Sequence, residues 1–158
     1  MPPQHFNTGW VLCNMGKAFM ENVKYQEAAT FLQQGNPEKA LEVCKKILAK
    51  EPKSFEANQI AGVVSLQKGL FENALDYLDR ALKVDNQNVR IWSNLSLAFS
   101  GLKRFKDAHL SADKAISLNS QFPEALYNKA TIYIKEERLN DAIEYLDKFI
   151  QLKPDHYL

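Results

Sequence analysis

Cysteine, glycine and proline are scarce in this chain of 158 residues, which contains two, six and six of them respectively. Two cysteines, Cys13 and Cys44, are too few for a disulfide framework or a cysteine-rich metal site, and we predict that both are small buried apolar residues. The remaining composition, 46% hydrophobic and 25% charged, is typical of a folded domain and argues against a disordered chain.

An excess of charge of one sign and long apolar runs are lacking as well. The formal net charge of +1 gives the whole chain no electrostatic attraction to nucleic acid or to an anionic membrane. No apolar run approaches the roughly 18 residues that a membrane span requires. The N-terminal residues 1–5 do not form a basic region followed by an apolar run, as a secretory signal would. We therefore expect a cytoplasmic protein, with the nucleus as the alternative, that binds neither nucleic acid nor membrane.

Residues that could support catalysis are dispersed. The three histidines, His5, His109 and His156, lie far apart and have no cysteine or acid at metal-ligand spacing. Phosphate-binding glycine loops and nucleophile motifs are missing from the sequence. The sequence thus predicts no enzyme, no cofactor, no metal site and no small-molecule substrate.

A period of 34 residues organises the chain from residue 21 onwards. It divides the sequence into four repeats, which cover residues 21–54, 55–88, 89–122 and 123–156. Alanine occupies one column of this alignment, at Ala40, Ala74, Ala108 and Ala142. A second column of small residues precedes it, at Ala28, Gly62, Ser96 and Ala130. We predict a single domain built from these repeats.

Each repeat contains two helical patterns separated by a break. Apolar residues recur at spacings of three and four, which is the period of an amphipathic helix. Gly35 and Gly69 separate the two patterns, and Asn36-Pro37 is a typical helix start. Small residues suit the place where two paired helices cross closely, and one such pair cannot bury its apolar face alone. The pattern predicts an all-α solenoid of stacked antiparallel helix pairs.

These columns resemble the tetratricopeptide-repeat (TPR) pattern. The third repeat carries the resemblance most clearly, at Trp92, Leu95, Phe99, Phe105, Ala108 and Ala115. The resemblance implies a right-handed superhelix whose concave groove is lined by the first helix of each pair. It also implies a scaffold that binds other proteins, although the fold alone does not name the partner.

The groove positions of the family, carried over to this sequence, predict a peptide-binding surface. Its members are Glu56, Gln59, Val63, Leu66, Arg90, Asn94, Leu97, Glu124, Tyr127, Asn128, Thr131 and Ile134. The two-carboxylate clamp of TPR chaperone cofactors needs lysine, arginine and asparagine at set groove positions. Neither alignment of the repeats on that clamp concentrates positive charge here. Binding of an acidic chaperone tail is therefore not expected.

The N-terminal segment does not fit the 34-residue frame. Residues 7–28 resemble a repeat of the TPR scaffold subunit of the anaphase-promoting complex, but they are out of register with the other repeats. The array is either spliced from two sources, or residues 8–34 form one long helix. Apolar residues at this end and in the last helix favour an alternative function, that of a structural subunit that self-assembles through the exposed solenoid ends, most simply as a two-fold dimer. The residues predicted for that contact are Trp10, Met15, Phe19, Phe149 and Ile150.

Overall fold

A computed structural model describes residues 22–152, which fold into helices connected by short turns, with no strand in that range. Residues 22–33 belong to the first helix, α1. The others are α2 (Pro37–Leu48), α3 (Phe55–Gln67), α4 (Phe71–Val84), α5 (Val89–Gly101), α6 (Phe105–Leu118), α7 (Pro123–Lys135) and α8 (Leu139–Leu152). The prediction of an all-α helical solenoid is confirmed. None of the helices within residues 22–152 is long and apolar enough to cross a bilayer.

Polar side chains fix the starts of several helices. Asn36 caps α2, where its side-chain oxygen accepts a hydrogen bond from the Lys39 N–H at 3.3 Å. Ser54 caps α3 through the Ala57 N–H at 3.3 Å, and Asn88 caps α5. These bonds satisfy backbone donors that a helix start leaves unpaired. Proline stands in the first turn of α2 and of α7, where its missing N–H costs nothing.

One residue in the turn of each pair has a left-handed backbone. Gly35 and Gly69 have φ of 72° and 70°, which glycine adopts without penalty. The equivalent positions of the third and fourth repeats hold Lys103 and Glu137, whose φ values are 58° and 61°. All four turns therefore have the same geometry, and two of them maintain it with side chains that disfavour it.

Helices that follow each other pack as pairs, and the pairs stack. α3 packs on α4, α5 on α6 and α7 on α8, while α4 contacts α5 and α6 contacts α7. Within a pair the approach is close: a Cβ atom added to Gly62 of α3 would lie 2.7 Å from Leu78 Cδ2 of α4. A side chain at that position would force the Leu78 side chain or the helices themselves to shift.

The core lies between successive pairs. Ala74, Leu78 and Ala81 of α4 form a buried cluster with residues of α5. The α5 members are Ile91, Leu95 and Ala98, spaced four and three residues apart, so that one stripe of each first helix faces the preceding pair. The other exposed stripe of α3, α5 and α7 is left to line the concave side.

Candidate peptide-binding groove

A groove of about 510 Å³ runs across the first helices α3, α5 and α7. Its walls include seven of the sequence-predicted groove residues: Gln59, Val63, Arg90, Asn94, Leu97, Glu124 and Asn128. They meet because each recurs on the same helix face once per repeat; Arg90, Asn94 and Leu97, for example, follow one stripe of α5. The structure thus gathers residues that lie up to two repeats apart in sequence.

Apolar side chains make up much of the groove surface. Val63 and Leu97 are joined by Leu32 of α1, Ile60 of α3 and Phe122, which precedes α7. The predicted set omitted these last three residues. The signal for Ile60 was present, since it occupies the same repeat column as Asn94 and Asn128. Leu32 and Phe122 were harder to predict from the sequence, because Leu32 lies at the end of α1 and Phe122 lies outside a helix.

Asn128 is a structural link as well as part of the wall. It is buried, and its side-chain Nδ2 donates hydrogen bonds to the Ser93 carbonyl oxygen at 3.1 Å and to the Ser93 Oγ at 2.8 Å. Both donors of this amide are therefore used between α5 and α7. Gln59 and Asn94, which are only partly buried, carry the amide groups that face the open groove.

The charges at the groove are few and of both signs. Arg90, in the first turn of α5, and Glu124, in the first turn of α7, are exposed groove residues. A two-carboxylate clamp requires lysine and arginine side chains at set groove positions. Here most of those positions hold an acid or neutral residues, so positive charge is not concentrated in the groove.

Five predicted groove residues do not line this groove. Leu66 packs against the core between α4 and α5, and Glu56 is exposed at the start of α3. Tyr127 occupies the repeat column of Gln59 and Ser93, and Thr131 occupies that of Val63 and Leu97, so both lie on stripes that line the groove in the preceding repeats. Ile134 shares its column with Leu66 and Ser100, which do not line the groove. On α7 the Thr131 hydroxyl donates to the Tyr127 carbonyl oxygen at 2.9 Å. These three residues lie beyond the cavity, on the last helix pair of the described stack.

Tyr127 and Ile134 lie at the C-terminal end of the described stack. Their equivalents one repeat earlier, Ser93 and Ser100, are each only 2% exposed, whereas Tyr127 is 49% and Ile134 46% exposed. The Tyr127 ring contacts Phe149 of α8, with ring centroids 5.5 Å apart. We call the surface formed by Tyr127, Ile134, Leu139, Ile143, Leu146 and Ile150 the end face. Ile150 of the predicted self-association set thus lies on it and Phe149 beside it, whereas Trp10, Met15 and Phe19 lie outside the described residues.

The Cys44 thiol and the His109 imidazole lie away from the groove and pack between helices of the fold. Cys44 is fully buried in the core between the first two repeats, and this burial raises the pKa of its thiol to about 11. His109 of α6 forms a hydrogen bond of 2.5 Å with Glu136 and contacts the Tyr133 ring. This link between α6 and the end of α7 places the histidine in a repeat junction. His5 and His156 lie outside the described residues.

Sequence profiles of one family, described as tetratricopeptide repeat, match three stretches of the chain. They cover residues 6–54, 31–98 and 123–156. Together the three stretches include most of the sequence, and the first extends into the N-terminal segment that does not fit the 34-residue frame.

Curated relatives are similar over parts of their length. The chain is 27% identical over 109 residues to "Essential for maintenance of the cell wall protein 1" of Saccharomyces cerevisiae, covering 68% of this chain and 12% of that protein. It is 30% identical over 90 residues to the Hsp70-Hsp90 organising protein of Plasmodium falciparum, covering 57% and 36%. The chain therefore spans well under half the length of these relatives.

Solved structures share the fold. MamA (residues 41 to the end) from Desulfovibrio magneticus RS-1 superposes with a TM-score of 0.74 at 21% identity, covering 85% of this chain and 76% of that one. Pseudomonas aeruginosa pilF gives a TM-score of 0.76 at 23% identity, covering 89% and 64%. At this level of identity the likeness establishes the helical-repeat architecture alone.

Proposed function

The chain belongs to the tetratricopeptide-repeat family, and from this premise we propose that it is a non-enzymatic scaffold that binds a segment of a partner protein in the groove across α3, α5 and α7. The observation that carries the proposal is the composition of that groove. Apolar side chains such as Val63 and Leu97 stand beside the amides of Gln59 and Asn94 in a cavity of about 510 Å³. Sites for peptides combine apolar anchoring surface with a few polar groups that fix orientation.

The groove favours a ligand that is largely uncharged. Apolar side chains of the ligand would gain roughly 25 cal/mol for each Å² of apolar surface removed from water against Ile60, Leu97 and Phe122. Asn94 and Gln59 can each both donate and accept, which suits the backbone of an extended segment. Arg90 and Glu124 carry opposite charges and would set the direction of the ligand rather than supply most of the affinity.

The experiment begins with selection of peptides of about 12 residues from a phage-displayed library on the wild-type protein. Leu97→Glu introduces a charge into the groove, and Leu110→Glu is the matched control, since Leu110 is 61% exposed on α6 and does not line the groove. We expect Leu97→Glu to weaken the selected peptides at least about tenfold, or roughly 1.4 kcal/mol, and Leu110→Glu to leave them unchanged. Thermal melts check that both variants fold.

Two outcomes bear directly on the proposal. Peptides that bind both variants equally well would place the site elsewhere on the surface. Should Leu97→Glu lower the melting temperature, Asn94→Ala supplies the milder test, because it removes an amide from the groove without adding charge.

Self-assembly through the solenoid ends is the second candidate function. It is favoured by the exposed apolar residues of α8, where Ile143 is 54% and Ile150 46% exposed. In this alternative the N-terminal stripe of one chain, with Trp10, Met15 and Phe19, packs on the end of another. Sedimentation velocity from low to high micromolar concentration tests it: a monomer throughout would rule it out.

The proposal also covers the cellular compartment and the classes of ligand. We place the protein in the cytoplasm, with the nucleus as the alternative, and assign it no cofactor, metal, nucleic-acid ligand or small-molecule substrate. Partner proteins act as its ligands, and its contribution is to hold a segment of one of them in a defined position.

A further inference from the structure

The exposed side of α6 differs in composition from the same side of the other second helices. Lys106, Leu110 and Lys114 lie on it at intervals of four residues, and Lys103 precedes them in the turn. We call these four residues the α6 stripe. Leu110 is 61% exposed, more than any other large apolar side chain within residues 22–152. Because helices of other pairs lie both before and after α6 in the stack, this exposure does not arise at an end of the array.

The other second helices hold mostly acids where α6 holds Lys106 and Leu110. The repeat frame gives the equivalents as Glu38 and Glu42 in α2, Glu72 and Asp76 in α4, and Asn140 and Glu144 in α8. In these helices the acid in the Leu110 column pairs with a cation four residues later at 2.6 to 2.7 Å: Glu42 with Lys46, Asp76 with Arg80, and Glu144 with Lys148. Leu110 replaces that acid in α6, so Lys114 lacks the partner that its equivalents have.

The lysines of the α6 stripe have no carboxylate partner within residues 22–152, where none of the three forms an ion pair. The two acids beside the stripe are already engaged. Asp107 pairs with Arg104 at 2.8 Å, and Asp113 pairs with Lys129 at 2.7 Å. Three positive charges therefore flank an exposed leucine without a counterion from the described part of the fold.

The stability of α6 itself does not account for Lys103 and Lys106. Both stand at the N-terminal end of the helix, where the helix dipole favours acids and disfavours cations. α2 and α4 follow that rule, with Glu38 and Glu72 at the position of Lys106. Lys103 also holds a left-handed backbone, with φ of 58°, which an L-residue disfavours. Residues that oppose the local preferences of a fold are candidates for a role in interaction.

An acidic protein segment fits these charges better than an extended polyanion does. Lys106 and Lys114 are eight residues apart, or about 12 Å along the helix axis. The equivalent stripes of α2, α4 and α8 each hold two acids and one cation. A nucleic acid or an anionic membrane spread across the array would therefore find favourable charges on α6 alone and net negative charge on its neighbours. A segment of a few residues can place its carboxylates at the lysines without meeting those acids.

We propose that the α6 stripe is a second docking surface, and that its occupant is a short acidic segment of a partner protein that carries an apolar residue between carboxylates. The carboxylates pair with Lys106 and Lys114, and the apolar residue covers Leu110. Exposed ion pairs are individually weak, so the charges provide selection and rapid association, whereas contact with Leu110 adds affinity. The groove across α3, α5 and α7 favours uncharged segments, and the two surfaces therefore select partner segments of different composition.

The chain itself and a second copy of it are poor sources of such a segment. Residues 1–21 and 153–158, which lie outside the described range, contain one acidic residue each, Glu21 and Asp155. In another copy, the acids in the Leu110 column are engaged in ion pairs within their own helices. A separate protein with a segment rich in aspartate and glutamate meets the requirement.

The test compares the wild-type chain with a variant whose α6 carries the α4 pattern. Lys106→Glu and Leu110→Asp together introduce the residue types that α4 has at the equivalent positions, and since α4 folds with them, the α4-pattern variant should fold as well. The control variant combines Lys45→Glu with Val84→Asp, which change the net charge equally at exposed positions outside the stripe. Thermal melts check that both variants fold.

The probes are peptides of about 12 residues selected from a phage-displayed library. The library is first depleted on the α4-pattern variant and then selected on the wild-type chain, which enriches peptides that depend on the stripe. Their affinities are measured by NMR titration of the isotopically labelled full chain, which also shows which helix each peptide contacts.

The expected result is a set of acidic peptides that bind α6. The selected peptides should contain at least two aspartate or glutamate residues with an apolar residue between them. They should bind the α4-pattern variant at least about tenfold more weakly than the wild-type chain and the control variant with unchanged affinity. Leu110→Ser, which removes the apolar side chain without adding charge, should also weaken them. Added salt should weaken them further, because it screens exposed ion pairs.

Other outcomes overturn the proposal. Selection of no peptide, selection of peptides without acidic residues, or equal affinity for the wild-type chain and the α4-pattern variant would each do so. Binding of the wild-type chain alone to vesicles of phosphatidylcholine and phosphatidylserine would assign the stripe to a lipid surface. A concentration-dependent oligomer that the α4-pattern substitutions dissolve would assign it to a second copy.

The groove proposal and this one can fail separately. Leu97→Glu should weaken a groove ligand and leave the acidic peptides unchanged, because Leu97 lines the groove and lies on a different helix from the α6 stripe. The α4-pattern substitutions should have the opposite effect, since neither Lys106 nor Leu110 lines the groove.

Discussion

Replacing Lys103 or Glu137 by glycine is expected to stabilise the protein. Both residues end the turn between the two helices of a pair, with φ of 58° and 61°. The equivalent positions of the first two repeats hold Gly35 and Gly69 in the same conformation, at 72° and 70°. The substitutions would therefore give the third and fourth turns the residue that the first two already have.

The magnitude follows from two opposing effects. The left-handed conformation costs an L-residue roughly 1–2 kcal/mol, because Cβ approaches the following carbonyl oxygen. Glycine avoids that cost but loses roughly 0.5–1 kcal/mol through its greater freedom in the unfolded chain. The expected net gain is about 0.5–1 kcal/mol for each turn. The reverse changes, Gly35→Ala and Gly69→Ala, should cost a similar amount, and because a Cβ at either site meets no atom within 4 Å, that cost is conformational.

Urea unfolding followed by circular dichroism measures these changes, with Lys103→Ala as the control. Alanine removes the lysine side chain but keeps the Cβ atom, so it should not reproduce the gain seen with glycine. If Lys103→Gly and Lys103→Ala had equal stabilities, the backbone conformation would not be the source of strain. A loss of stability in Lys103→Gly would mean that the side chain contributes more than its exposed position indicates.

Three further predictions concern packing and protonation. Gly101→Ala should cost about 1–3 kcal/mol in denaturant unfolding, because the added Cβ would lie 2.4 Å from Phe71 Cε1 across a repeat junction. Leu78→Ala should cost about 2–5 kcal/mol and Leu146→Ala distinctly less, because they share a repeat column but only Leu78 is fully buried; similar costs would mean that the last pair is as well covered as the second. Burial raises the pKa of the Cys44 thiol from 9.0 to about 11, so the stability linked to its protonated form is complete below pH 9 and is lost as the pH rises through 11. Between pH 8 and 10.5 wild-type protein should lose roughly 1–2 kcal/mol more than Cys44→Ala does, as measured by urea unfolding at the two pH values.

Much of the fold could be predicted from the sequence because the same residue pattern recurs in each of the four repeats. The alanine column and the turn glycines specify helix pairs that approach closely, and four copies of one pattern exclude accidental agreement. The left-handed turns at Lys103 and Glu137 were not anticipated, since neither residue favours that conformation. They follow instead from the packing of each pair, which imposes the same turn on every repeat.

The groove could be predicted only in part, for a geometric reason. Val63, Asn94 and Leu97 line the cavity across α3, α5 and α7, because Val63 and Leu97 share a repeat column and Asn94 lies on the same stripe of α5 as Leu97. Ile134 was assigned to the same surface, yet its repeat column, with Leu66 and Ser100, does not line the cavity. Successive residues of a helix point in directions about 100° apart, so neighbouring stripes of one helix face different surroundings. Whether a stripe faces the groove or the junction with the next pair depends on how the pairs are rotated against each other.

Charge at the junctions limits the order in which these repeats can stack. In the repeat frame, the buried central position of each first helix corresponds to one column of the preceding second helix, which gives the combinations Ala61 with Lys45, Leu95 with Asp79, and Lys129 with Asp113. Only the last of these combinations is an ion pair, at 2.7 Å. If the fourth pair were placed after the first, Lys129 would approach Lys45, and the buried ammonium would lose its counterion. One charged column can therefore distinguish pairs that share backbone geometry.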